Sequence, residues 1–322
     1  MKKILIFSNG EKIGDGIIKL PFIYDLKKYI PNSKVTWLTH GNTVYKDRLK
    51  SLIINKIDYI LDNANLNYIP FKSVSKKFDL KNQNYDLVID TQKTLIKTLA
   101  LKKIKTEIFI SSCSDWLFSD MKPLNKNKKD EYYLNNIYTM LELYTNFKIS
   151  EKSIINTPEG ITKKISTIFD KNKKYFGVAP GAGEKNKKWP INNYIKLTEM
   201  FIKLGFKPCF FLGPDDKAER EILINKFGEI FEPEKIFPNI SSILNVMSCT
   251  NFLDFAVCND SGISHILSTG NCHLFKIFNN KKPTKFTDIN NKIEFLAPDS
   301  GQDISKINCY EVFDLIKSKL YS

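Results

Sequence analysis

The stretch Val178-Ala-Pro-Gly-Ala-Gly-Glu-Lys-Asn-Lys-Lys-Trp-Pro190 leads from an apolar run, through a glycine turn and a group of lysines, to the start of a helix. Glycines let the backbone approach a ligand closely, and a helix start offers unpaired N–H groups and the positive end of a dipole. The stretch therefore predicts a strand, an anion-binding turn at Gly181 and Gly183, and a helix that begins near Pro190. The cations around this turn are Lys185, Lys187 and Lys188.

Short apolar runs alternate with helical patterns on both sides of a linker-like segment at residues 149–159, which indicates βαβ units with parallel sheets. A chain of 322 residues also exceeds the usual size of one domain. We therefore expect an α/β protein of two Rossmann-like domains, residues 1–155 and 156–322. Their sheets should face a central cleft, and the last helix is free to pack back on the first domain. Strands are expected at 3–7, 34–38, 58–61, 85–90, 106–110, 175–179, 208–212, 252–258, 273–278 and 293–296.

The composition favours acidic partners. Lys and Arg number 49 against 35 Asp and Glu, a formal charge of +14, although an AT-rich genome gives the same excess of lysine. No apolar run approaches the roughly 20 residues of a membrane span. The six cysteines have no CxxC spacing, as expected for reduced thiols in an intracellular protein. We expect a cytoplasmic location.

Two more strand-to-helix junctions carry polar residues. Asn9-Gly-Glu-Lys-Ile-Gly-Asp15 follows the first strand, where the carboxylate of Asp15 can serve either as a general base or as a helix N-cap. Asn259-Asp-Ser-Gly-Ile-Ser-His265 follows a later strand, and its turn places His265 at the start of a helix. Because only three histidines occur in the chain, we expect this one to face a ligand.

Several nucleotide-site and metal-site motifs are absent. Neither GxxxxGK followed by Ser or Thr nor GxGxxG occurs, so a P-loop and a redox dinucleotide fold lose their main support. No Asp-x-Asp pair can hold a metal-bound diphosphate. Lysines and a helix start can neutralise a leaving phosphate instead, so we expect neither a metal nor a cofactor. The remaining candidate carboxylates are Glu11, Asp215 and Asp216, the last two also being candidates for a helix N-cap.

Residues 111–129 interrupt the alternation and predict a long loop, which in a compact domain is often a functional lid. Trp116 and Phe118 lie there in a polar, lysine-rich context. We expect this basic surface to attract an anionic acceptor and lipid headgroups. Its lysines are Lys122, Lys126, Lys128 and Lys129.

The three junctions, in this order, resemble glycosyltransferase family nine, the lipopolysaccharide heptosyltransferases. The resemblance spans nearly the whole chain and implies a GT-B fold with metal-independent, inverting transfer from a nucleotide-activated heptose. The motifs that carry it are Ile13-Gly-Asp15 with Leu20-Pro21, Tyr85-Asp-Leu-Val-Ile-Asp90, Pro180-Gly-Ala-Gly183 with Lys187-Lys-Trp-Pro190, Leu212-Gly-Pro214, and Asp260-Ser-Gly with His265.

The resemblance also assigns residue roles. It makes Asp15 the catalytic base, in preference to the N-cap, and Lys187 the lysine that meets the donor phosphates. Acceptor-binding residues are expected at Lys12 and Gly14. Donor-binding residues are expected at Gly181, Gly183, Lys188, Asp260, Ser261, Gly262 and His265, with Ser261 where the family more usually has Thr. Asn271, Asn279 and Asn280 depart from the family's usual proline and glycine, which leaves the sugar open.

The function expected from these features is transfer of a heptose or related sugar from a nucleotide-diphosphate donor to a lipopolysaccharide-core-type acceptor. The partners would be the nucleotide sugar, an anionic glycolipid and, peripherally, the inner face of the inner membrane, with no nucleic acid. One alternative is a nucleotide-sugar epimerase of the same architecture, which needs no acceptor. The other is a non-catalytic polyanion-binding protein, which would bind DNA or RNA in a salt-dependent manner.

Overall fold

The computed structural model describes residues 1–69, 72–124, 132–279 and 292–321. The chain forms two compact units, Met1–Ile155 and Asn156–Ser322. Within the described residues each unit contains one parallel sheet of five strands. The predicted α/β class with two Rossmann-like units is therefore confirmed.

The first unit has its strands in the order β3-β2-β1-β4-β5. The chain runs outward from β1 in one direction and from β4 in the other, so the connections after these two neighbours leave the sheet toward opposite faces. Every predicted strand of this unit is found to within one residue at each end. The elements are β1 (Lys2–Ser8), α1 (Ile13–Tyr29), β2 (Ser33–Thr39), β3 (Tyr59–Leu61), β4 (Asn84–Asp90), α2 (Leu95–Leu101), β5 (Lys105–Ser111) and α3 (Tyr133–Thr145).

The second unit has its strands in the order β10-β9-β8-β6-β7, so its direction reverses between β6 and β8. Strand β8 starts three residues later than predicted because Thr250–Phe252 form a 3-10 turn before it. The elements are α4 (Glu159–Ser166), β6 (Lys174–Ala179), α5 (Ile191–Lys203), β7 (Phe206–Phe210), α6 (Lys217–Phe227), α7 (Pro233–Ile236), α8 (Ser242–Cys249), β8 (Phe255–Asn259), α9 (Gly262–Leu267), β9 (His273–Ile277), β10 (Ile293–Leu296) and α10 (Cys309–Leu320).

The core of the second unit is built around phenylalanine rings. Phe201 of α5 is fully buried, and its ring lies 4.7 Å from that of Phe255 in β8 and 4.9 Å from that of Phe313 in α10 (centroid distances). Val312 and Ile316 of α10 belong to the same core. The last helix therefore packs in the core of the second unit. All six cysteines are buried free thiols.

The loop after β5 is buried at its aromatic residues, whereas Lys122, the described lysine of the expected basic surface, is exposed. The side chain of Trp116 is 8% exposed, and Phe118 is half-buried against the core of the first unit. Ser114, Asp115 and Trp116 have φ values of 50°, 53° and 67°, a left-handed turn whose strain is offset by burial of the indole. The two aromatic residues therefore anchor the loop. Lys126, Lys128 and Lys129 lie outside the described residues.

Among the residues that the structure describes, no helix combines the length and the apolar composition that a bilayer crossing requires.

The phenylalanine core gives a first stability prediction. Phe201→Ala removes a fully buried ring and should lower the free energy of unfolding of the second unit by about 3–5 kcal/mol. Guanidinium unfolding, followed by far-UV circular dichroism, measures this. The matched control is Ile202→Ala on the same helix, where the side chain is 41% exposed and the loss should stay below about 1 kcal/mol. Equal losses for the two variants would contradict the assigned core.

Candidate functional site

The candidate site of the second unit lies where the strand order reverses. Strands β6 and β8 are neighbours, and the loop after β6 and the turn after β8 leave their carboxyl ends in different directions, the usual place for a ligand in an open α/β sheet. A cavity of about 700 Å³ opens there, a typical ligand-site volume. Its walls come from residues 181–188, 211–219 and 261–263.

The two sides of this cavity are joined by Asn259, the fully buried last residue of β8. Its side-chain Nδ2 donates to the carbonyl oxygen of Pro180 at 2.6 Å, directly after β6. Its Oδ1 accepts from the backbone N–H of Trp189 and from the hydroxyl of Tyr194, both at 3.0 Å. One amide side chain therefore fixes the beginning and the end of the lysine-containing loop against β8.

The tryptophan of this loop is structural. Only 1% of Trp189 is exposed, its Nε1 donates to the carbonyl oxygen of Ile307 at 3.0 Å, and its ring centroid lies 5.0 Å from that of Tyr194 in an edge-to-face arrangement. Helix α5 begins two residues later, as expected from Pro190. Burial of the indole thus holds the carboxyl end of the loop while its middle stays exposed.

The three lysines of the loop are not equivalent. Lys185 and Lys188 line the cavity, whereas Lys187 does not. The Nζ of Lys188 lies 2.6 Å from Glu219 Oε1, so that charge is already paired. The Nζ of Lys187 lies 3.1 Å from Glu184 Oε1. Among the described residues Lys185 has no carboxylate within ion-pair distance, which leaves it as an uncompensated cation at the cavity wall.

The two glycines of the loop have different surroundings. A Cβ at Gly181 would lie 2.2 Å from Asp216 Oδ2, so any larger residue here would displace the Asp216 carboxylate. Asp216 holds the N-cap position of α6, but its carboxylate accepts from the Gly213 N–H at 2.8 Å and makes no cap bond. Nothing lies within 4 Å of a Cβ built at Gly183. Gly181 is thus a packing requirement, and Gly183 is the glycine with free space beside it.

The turn after β8 forms the other wall. Ser261 and Gly262 line the cavity, and the Asp260 N–H donates to the carbonyl oxygen of Ile277 at 3.1 Å. His265 is half-buried in α9, not among the lining residues, and burial together with the nearby ammonium of Lys276 lowers its pKa to about 3. Near neutral pH its imidazole is therefore uncharged and can only donate or accept hydrogen bonds.

In the first unit, Asp15 lies in the first turn of α1, three residues after the N-cap position. That position is held by Lys12, so the interpretation of Asp15 as an N-cap is wrong. Asp15 is half-buried and has no hydrogen-bond or ion-pair partner within the described part of the chain. Lys12 is exposed beside it, and Gly14 is half-buried.

A buried ion pair fixes the loop that precedes Asp15. The Nζ of Lys19, one turn further along α1, lies 2.9 Å from Glu11 Oε1 and donates to Ser8 Oγ at 2.7 Å. Glu11 Oε1 also accepts from the indole N–H of Trp37 at 3.2 Å. The Glu11 side chain is 0% exposed, which removes it from the candidate ligand-binding carboxylates.

Sequence reasoning missed the structural roles of Asn259 and Lys19 and the presence of Lys276 beside the candidate site. The two lysines carry a visible signal, since each interrupts an apolar run, Ile17-Ile-Lys-Leu20 and His273-Leu-Phe-Lys-Ile277. A lysine at such a position must be paired when it is buried. Asn259 carries no comparable signal because its three partners are distant in sequence.

The Asn259 contacts predict a sharp loss of stability. Asn259→Ala leaves two buried N–H or O–H donors and one carbonyl unpaired, so the second unit should lose on the order of 3 kcal/mol. Denaturant unfolding, followed by far-UV circular dichroism and by the fluorescence of the three tryptophans, measures the loss. The exposed Asn192→Ala should change the midpoint little. If the two variants unfolded at the same midpoint, the bridging role would be refuted.

Comparison with known proteins places this geometry in a family. Residues 75–309 match the model of glycosyltransferase family 9 (heptosyltransferase), well over half of the chain. No curated protein sequence matches. Solved structures of similar fold include a family 9 glycosyltransferase from Veillonella parvula, with a TM-score of 0.72 and 16% identity over 99% of this chain and 97% of that one.

Two Escherichia coli structures are also similar. ADP-heptose lipopolysaccharide heptosyltransferase II gives a TM-score of 0.69 at 15% identity, over 100% of this chain and 99% of that one. Heptosyltransferase WaaC with ADP-2-deoxy-2-fluoro heptose gives 0.68 at 15% identity, over 98% and 99%. These are GT-B enzymes, so the predicted fold is confirmed. The chain belongs to glycosyltransferase family 9 and is a glycosyltransferase.

Proposed function

We propose that this glycosyltransferase moves a heptose or a related sugar, with inversion and without a metal ion, from a nucleotide-diphosphate donor to a lipopolysaccharide-core-type acceptor. The observation that carries the proposal is the cavity between the loops after β6 and β8, with the uncompensated cation Lys185 in its wall. A diphosphate would supply the negative charge that pairs with Lys185, which has no carboxylate partner among the described residues. The donor-bound E. coli relative supports a nucleotide sugar as the ligand.

On the donor side, the ammonium of Lys185 and the backbone around Gly183, Ser261 and Gly262 would hold the diphosphate. Lys187, assigned by resemblance, is the last residue of a 3-10 turn formed by Lys185–Lys187, and it is held by Glu184. Its ammonium would separate from Glu184 and stabilise the negative charge that develops on the departing diphosphate. Paired Lys188 would keep the acidic wall of residues 215–219 from repelling that charge.

On the acceptor side, Asp15 would act as the base. An acceptor hydroxyl oxygen attacks the anomeric carbon while its proton passes to the Asp15 carboxylate, and the bond from that carbon to the diphosphate oxygen breaks on the opposite face. Attack opposite to the leaving group inverts the anomeric configuration. Lys12 and Gly14, beside Asp15, would contact the acceptor, and neutral His265 would donate a hydrogen bond to the donor without adding charge.

The acceptor we propose is an anionic glycolipid at the inner face of the inner membrane, reached by peripheral contact from the cytoplasm. The formal charge of +14 favours such a surface, and Leu117, which is 65% exposed next to the buried Trp116, offers an apolar contact.

The role of Asp15 is tested by Asp15→Asn, which keeps the shape and removes the basic group. Transfer to a glycolipid acceptor should fall about 1,000-fold, while nucleoside-diphosphate affinity stays unchanged. Acceptor-dependent turnover and calorimetry measure the two quantities. The control is Asp47→Asn, an exposed carboxylate of the same unit that bonds only a neighbouring backbone N–H. Undiminished turnover in Asp15→Asn would exclude it as the base.

The lysines are tested separately. We expect Lys185→Ala to weaken nucleoside-diphosphate affinity about tenfold, since it removes the free cation of the cavity wall. Lys187→Ala should instead lower kcat on the order of 100-fold with little change in that affinity, since its charge acts on the departing diphosphate. Lys196→Ala, exposed on α5, serves as the charge-matched control. Wild-type kcat in Lys187→Ala would refute its catalytic role.

A further inference from the structure

Lys276 lies within the parallel sheet of the second unit, where an apolar residue is expected. It is the fourth residue of β9, pairs in register with Cys258 of β8 and is 1% exposed. Its neighbours Phe275 and Ile277 point into the phenylalanine core, so Lys276 points to the other face of the sheet. A buried ammonium at such a place is unfavourable unless an anion compensates it.

The compensating anion is Asp260, the first residue after β8. The Nζ of Lys276 lies 4.0 Å from Asp260 Oδ1, too far for a hydrogen bond and close enough for a strong charge interaction. Asp260 Oδ1 is itself buried and accepts no hydrogen bond from the described residues. The thiol of Cys258 supplies no charge, because burial raises its pKa to about 12. The two buried charges therefore depend on each other.

The pair stands next to the cavity. Asp260 directly precedes Ser261 and Gly262, which line it, and its side chain is 13% exposed. An uncompensated carboxylate at this point would repel a diphosphate in the cavity. When Asp260 is paired with Lys276, the two residues together carry no net charge.

We propose that Lys276 is a positioning residue for donor binding, which neutralises Asp260 and keeps its Oδ1 in the protein interior, so that the donor diphosphate meets an uncharged turn. The inference rests on the proposed function, because it requires the diphosphate to occupy this cavity. Lys276 acts through Asp260 and does not touch the donor itself.

The test is a charge-compensation cycle. Wild-type protein is first titrated by calorimetry with ADP, UDP, GDP and CDP, and the tightest ligand is kept. Lys276→Met, which fills the same space without charge, should weaken its binding about tenfold or more, because Asp260 is left uncompensated. The double variant Asp260→Asn, Lys276→Met should bind at least about threefold more tightly than Lys276→Met, because no unpaired charge remains. A purely structural role of Lys276 would give no such recovery.

Two further variants complete the design. Lys207→Met removes an exposed lysine from β7 of the same sheet and should leave affinity within about twofold of wild type. If Lys276→Met does not fold, Lys276→Gln, whose amide is polar but uncharged, replaces it with the same expected direction.

The outcomes separate the inference from the proposed function. Wild-type affinity in Lys276→Met, or a double variant no tighter than Lys276→Met, would overturn the inference and leave the proposed function standing. A wild-type protein that binds none of the four nucleotides would overturn the proposed function and the inference with it. Loss in the single variant and recovery in the double variant is the result that we expect.

Discussion

The candidate site of the second unit depends on the three hydrogen bonds of Asn259. The reversal of strand order places the ends of β6 and β8 side by side. It does not by itself hold the loop between residues 180 and 189 in place. The buried amide ties both ends of that loop to β8. Because the ends are fixed, the 3-10 turn between them presents Lys185 to the cavity without ordering a long flexible loop when the ligand binds.

Two buried lysines serve the same electrostatic purpose in the two units. Lys19 is paired with Glu11 in the loop that precedes Asp15, and Lys276 is paired with Asp260 beside the cavity. In both places a carboxylate next to a candidate site is neutralised from inside the protein. Asp15 and Lys185 have no ionic partner among the described residues, and neither has Asp215 in the cavity wall.

Much of the fold could be predicted from the sequence because strand and helix periods and glycine turns are local signals. These local signals predicted the strands, the strand-to-helix junctions and the resemblance to the family. The orientation of individual side chains did not, because it depends on tertiary packing. A 3-10 turn rotates successive residues by about 120°, so Lys185 and Lys187 differ in direction although both stand in one lysine-rich stretch. Similarly, Trp116 is buried by a left-handed turn that its polar neighbours do not indicate.

The most direct test of the account is a crystal structure of the protein with the nucleoside diphosphate that binds most tightly. The account predicts the diphosphate in the cavity between Gly183 and Ser261, with a phosphate oxygen about 2.8 Å from the Nζ of Lys185. It also predicts that Asp260 Oδ1 stays beside Lys276, away from the phosphates. A diphosphate bound outside this cavity, or one that contacts neither loop, would contradict the account.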